Sequence, residues 1–134
     1  MNEIEKHVTS LELSKRLKEL GFPQRSYFDW VKENGELTIW NPTQVSDYVT
    51  GNQEFLCSAY LSSELGDMLP TIEQYNLKQE RLADNIWYVT YEAFKYNARY
   101  GDYIGELCGK TEADIRARML IWLVENNYLD PKSL

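Results

Sequence analysis

The segment TEADIRARMLIWLVENN, residues 111–127, limits what this chain can become more than any other stretch. Thr111 is a good N-cap, and Glu112 and Asp114 put negative charge at the positive end of a helix dipole. Ala113, Ala117, Leu120, Ile121 and Val124 then share one face. Ile115, Met119 and Trp122 extend the apolar surface beyond that stripe, so the helix needs cover on both flanks. The spacing therefore predicts a helix laid across a sheet, ending near Asn126-Asn127 before Asp130-Pro131.

The sheet has its own signals. The run Tyr27, Phe28, Trp30, Val31 is followed by Asn34-Gly35 and then by Leu37, Thr38, Ile39 and Trp40. Asn-Gly tolerates positive φ at both positions, so a hairpin is expected. A second hairpin is expected around Asp84-Asn85, with residues 77–82 and 86–94 as central strands, and residues 55–59 and 103–108 read as shorter strands. Two more helices fit the pattern. Thr9 and Glu12 have capping-box spacing ahead of Leu13, Leu17 and Leu20, with Gly21 as the stop. Leu61, Leu65, Met68 and Leu69 repeat at helical spacing up to Pro70, with Ser62 or Ser63 contributing to the cap. Asn41-Pro42 opens a polar loop that runs through Gly51-Asn52. The fold class is α+β: a small, mostly antiparallel sheet with about three helices packed on it. A length of 134 residues suits one domain with one core. Residues 1–8 are expected to be a flexible lead-in and residues 9–134 the domain.

Charge is distributed unevenly. The formal net charge is −7, and between Glu33 and Leu77 there is no Lys or Arg, while Glu33, Glu36, Asp47, Glu54, Glu64, Asp67 and Glu73 all fall there. The segments on either side nearly balance, so the middle third supplies the whole net charge. Direct binding to duplex DNA, which needs many cationic phosphate contacts, is not expected. Cys57 and Cys108 are far apart and belong to no CxxC or Cys/His cluster, which fits a reducing compartment and no zinc module. The opening MNEIEKHVTS lacks the apolar run of a secretory signal and no stretch is a membrane span, so the cytoplasm is expected.

Four phrases together carry a resemblance: TSLELSKRLKELGF at 9–22, YLSSELGDMLP at 60–70, IWYVTYEAF at 86–94 and KTEADIRARMLIWLVENN at 110–127. In this order the chain resembles a group of small proteins encoded by bacteriophages, prophages and mobile elements of gut bacteria. The resemblance implies an accessory protein acting in the bacterial cytoplasm, a setting shared by anti-CRISPR inhibitors. It brings no reaction and no residue roles.

Tests for chemistry point away from catalysis. The single histidine, His7, precedes the first cap, where an exposed terminal residue is the ordinary outcome. Both cysteines sit among apolar neighbours and read as core residues. Gly109-Lys110-Thr111 ends in the letters of a phosphate loop, but position 104 is Ile104 where the pattern needs glycine. Glu64 and Asp67 share a helix face, yet no histidine or third acid completes a metal set. Of the ten tyrosines, Tyr88 and Tyr91 are expected on opposite faces of one strand, and Tyr96, Tyr100 and Tyr103 cluster in a polar segment.

The expected function is that of a binding protein with no catalytic residues, no metal and no cofactor. Its partner-binding residues are Asp47, Glu54, Glu64, Asp67 and Glu73, on an acidic, tyrosine-bearing surface centred on the loop before Phe55 and the helix from Leu61 to Leu69. The partner is a basic host protein such as a nucleic-acid-handling enzyme. Two alternatives stay open: a homo-oligomeric structural or assembly protein, and an enzyme without a familiar motif.

Overall fold

The Asn34-Gly35 turn adopts φ of 50° and 84°, as a type I′ hairpin needs. It joins β1 (Asp29–Glu33) to β2 (Glu36–Trp40), and β3 (Gln53–Ser58) pairs antiparallel on the other side of β1. The second hairpin joins β4 (Tyr75–Ala83) to β5 (Ile86–Ala93) through Asp84-Asn85, and β6 (Tyr103–Gly109) pairs with β5. This computed structural model describes residues 3–41, 53–93 and 103–134. The fold is α+β as expected, with every strand antiparallel and the strands divided between two three-stranded sheets, β2-β1-β3 and β4-β5-β6. Residues 77–82, expected in a central strand, lie in an edge strand, and β5 alone is central in the second sheet.

Three α-helices are described: α1 (Leu11–Glu19), α2 (Ser62–Met68) and α3 (Glu112–Glu125). Gly21 ends α1 with φ of 97°, and Phe22 N–H reaches back to Leu17 O at 3.0 Å, which closes a Schellman turn over a Phe22–Leu17 apolar contact. The start of α1 differs from the expected Thr9–Glu12 box. Ser10 is the N-cap, because the Thr9 hydroxyl is taken by Tyr60 O at 3.1 Å. Residues 1–8 also contain a docked part, since Val8 is buried and bridges to Leu61.

Helix α3 is covered on both flanks, as its apolar width requires. Ala113, Ala117, Leu120 and Ile121 pack with Leu17, Phe22, Tyr60 and Leu65 from α1, α2 and the segments beside them. Ile115, Met119 and Leu123 face Val89, Tyr91 and Ile104 of the second sheet. A third cluster, Val8, Trp30, Cys57 and Ala59, backs the first sheet without help from α3.

Candidate functional site

Tyr60, two residues past the end of β3, fixes the local geometry of the candidate site. Its hydroxyl donates to Pro23 O and accepts from Gln24 Nε2, while Gln24 Oε1 accepts from Ser58 N at 2.8 Å. These bonds hold residues 23–25 against the end of β3. Helix α2 faces the same segment and leaves a groove of about 380 Å³ lined by Pro23, Arg25, Tyr60, Glu64, Asp67 and Met68, with Leu134 alongside. The Tyr60 ring is buried, and burial pushes its phenol well above the ordinary value.

The carboxylates around this groove have different tasks. Glu64 is half-buried, and its Oε1 accepts the Leu61 N–H at 2.9 Å, so it caps α2; neither Ser62 nor Ser63 does. Asp67 is exposed on the next turn. Asp29 starts β1 opposite Ser58, and its carboxyl is held above its ordinary range first by burial and then by the charge of Glu64. Asp29 and Glu64 therefore sit in each other's field. Glu64 is thus shared between two neighbourhoods, lining the groove with Asp67 and raising the Asp29 carboxyl at the start of β1.

The five residues singled out in the sequence do not form one surface. Glu64 and Asp67 share the groove. Glu54 lies opposite Lys32 near the far end of the first sheet, beside the facing pair Glu33 and Glu36. Asp29 and Glu33 stand at opposite ends of β1, roughly 13 Å apart at about 3.3 Å per residue. Glu73 is exposed in the turn before β4, and Asp47 lies outside the described residues, as does the loop before Gln53. The acids are thus brought out in two separate groups with Glu73 in a third place.

Their common property is electrostatic. Among the described residues, no Lys, Arg or His forms an ion pair with Glu33, Glu36, Glu54, Glu64, Asp67 or Glu73. In the flanking segments Glu3, Glu19, Glu80, Asp84, Glu92, Glu112 and Glu125 are all paired. Arg25 lines the groove, and it too makes no ion pair among the described residues.

The remaining motifs resolve into structural roles. His7 is exposed, and its ring approaches Glu3 at 3.6 Å. Cys57 is buried as expected, with burial raising its thiol; Cys108 is exposed, because it sits on the face of an edge strand turned away from α3. Gly109-Lys110-Thr111 closes β6 and opens α3, with Thr111 Oγ1 accepting from Asp114 N at 3.1 Å. Tyr91 points into the core and its phenol is pushed up to about 12 by burial, while Tyr88 is half-buried on the opposite face and Tyr103 is exposed. Tyr96 and Tyr100 lie outside the described residues. Among the described residues no three His, Cys, Asp or Glu side chains come together as a metal set, and no helix is long and apolar enough to cross a membrane.

Two residues escaped the sequence reading. Asp114 Oδ1 accepts the Ser10 N–H at 3.0 Å, so an acid read as serving its own helix dipole also caps α1. Arg116 donates from Nε to Gln79 Oε1 and from Nη1 to Ser62 O, both at 2.8 Å, tying α2 and β4 to α3. Its guanidinium lies where a side chain at Gly66 would be, 2.9 Å from an added Cβ. No local signal marks either role, since each partner is many residues away in sequence. Comparisons with protein-family models, with curated proteins and with solved structures returned no match.

Proposed function

We propose that the protein is a non-enzymatic binding protein whose unneutralised carboxylates engage a lysine- and arginine-rich surface on a partner. The observation that carries this reading is the contrast in ion pairing: among the described residues Glu33, Glu36, Glu54, Glu64, Asp67 and Glu73 make no ion pair, whereas many of their counterparts on either side do. Carboxylates presented in this way can occupy the place of phosphates in a basic groove, and long-range attraction speeds the encounter. The groove beside α2 adds a fitting shape. Pro23 and Met68 offer apolar surface to the stem of a lysine or arginine, while Glu64 and Asp67 meet its head.

The partner class we propose is a nucleic-acid-handling protein of a bacterial host, Cas effectors included, inhibited in the cytoplasm. That choice rests on the phage and mobile-element setting that the sequence resemblance implies. The test is a pull-down from bacterial lysate at low and high salt, with the double variant Glu64→Lys/Asp67→Lys beside the native chain and circular dichroism to verify folding. A basic nucleic-acid-binding protein should be captured at low salt, lost at high salt and depleted about tenfold or more by the double variant. Capture that is indifferent to salt and to the variant removes the groove from consideration.

A further inference from the structure

β4 is the longest strand at a sheet edge: nine residues, against five in β2, six in β3 and seven in β6. Its pairing with β5 runs without a shift from Tyr75 to Arg81, whereas the ladders that β3 and β6 make with their neighbours each contain a register shift. Among the described residues no strand pairs with the other side of β4. Among the described residues no hydrogen bond reaches the backbone from Asn76 to Leu82 except those of the β5 ladder. Leu77 and Leu82 are 43% and 56% exposed along it. A long, regular edge with free N–H and C=O groups is a template for one more strand, and this one contains no proline to prevent it.

We propose that β4 pairs antiparallel with β4 of a second copy of this chain, joining two sheets into one of six strands. The charges select the register. A two-fold pairing that keeps α3 of both copies on one face puts one residue of β4 opposite itself. Centred on Lys78 it sets lysine against lysine, and centred on Glu80 it sets glutamate against glutamate. Centred on Gln79, the midpoint of Tyr75–Ala83, it sets Lys78 opposite Glu80 of the second copy, twice by symmetry, and overlaps all nine residues. Leu77 then lies opposite Arg81, whose stem covers it. Within its own chain Lys78 already reaches Glu80 and Glu92 at 3.6 and 3.7 Å, so Glu80 of the second copy adds a third carboxylate and extends the charge ladder across the joint. Exposed ion pairs contribute little energy, so the backbone ladder and the leucines drive association and the charges fix alignment. An edge joint of this size gives a weak, concentration-dependent dimer.

Sedimentation equilibrium over a concentration series tests this directly. The native chain should pass from monomer to dimer as concentration rises. Lys78→Glu places glutamates opposite Glu80, and Glu80→Lys places lysines opposite Lys78, so each variant alone should dimerise about tenfold more weakly. An equimolar mixture of the two restores both attractive pairs and should recover native dimerisation, which a purely structural effect of either change would not produce. Circular dichroism establishes that each variant is folded. A native chain that stays monomeric up to its solubility limit, or a mixture no tighter than its separate components, overturns the proposal.

Discussion

The two sheets are each built around an antiparallel hairpin and secured in different ways. The second has strands of nine, eight and seven residues, a fourteen-residue helix lying across it, and charges that are paired locally, Lys78 with Glu80 and Glu92, and Arg81 with Asp84. The first has strands of five, five and six residues and is held by side chains bonding to backbone. Trp30 Nε1 donates to Thr9 O at 3.0 Å, and Thr9 in turn reaches Tyr60 O through its hydroxyl. The acids of β1, β2 and β3 carry no ion pair among the described residues. The half with the larger apolar backing pairs Glu80, Asp84 and Glu92 with its own cations, and the strand acids of the half with the smaller one have no such pairs among the described residues.

The largest effect is expected where the halves meet. Leu120 is fully buried between α3 and the elements α1 and α2, so Leu120→Ala should cost about 2–5 kcal/mol through lost burial and the cavity left behind. If the halves form one cooperative unit, tryptophan fluorescence and far-ultraviolet circular dichroism will follow the same urea transition in this variant. Separate midpoints would mean that the first sheet stands on its own cluster.

A pair of glycines sharpens the comparison at smaller cost. Gly105 has φ of 62° at the irregular step of β6, and a Cβ there would lie 2.9 Å from both Met119 Sδ and Trp122 Cε3. Gly35 has φ of 84° in the first hairpin, with nothing within 4 Å of the same atom. Gly35→Ala should therefore cost only backbone strain, about 1 kcal/mol, and Gly105→Ala should cost more, about 2–3 kcal/mol, because α3 has to lift from the sheet. Equal losses in urea midpoint would show that the contact between helix and sheet is softer than its distances suggest.

What could be read from the chain beforehand follows the range of the interactions. Asn34-Gly35, Gly21 and Thr111 act within a few residues, and their turns and caps stand where the residue types place them. Strand order could not be read the same way, so residues 77–82 were expected at the centre and lie at an edge. Thr9 lost its capping role to a carbonyl 51 residues away, and Asp114 caps a helix 104 residues away. The acidic run had a similar fate. A stretch without lysine or arginine is continuous in sequence, but β1 carries one group of acids to the hairpin end and α2 carries another to the groove. Composition located the charge, and only folding decided that it would be shared between separate places.

The smallest effect tests the crowding of carboxylates in the first half against the pairing in the second. Burial and the charge of Glu64 raise the Asp29 carboxyl above its ordinary value of 3.8. A folded-state value above the unfolded one means that the native protein holds more protons between the two, so stability rises as pH falls through that window. At pH 7 the ionised Asp29 opposes folding, and Asp29→Asn should raise the urea midpoint slightly. The gain should shrink as pH falls through the folded value and vanish below about 3.8, where both states are protonated. Glu92→Gln in the second sheet should do the reverse at pH 7, lowering the midpoint by a few tenths of a kcal/mol at most, because it removes an exposed contact to Lys78. If Asp29→Asn destabilises at pH 7, the Asp29 carboxylate is held by bonds to its surroundings that outweigh its burial and the charge of Glu64, and the first half is no more electrostatically strained than the second.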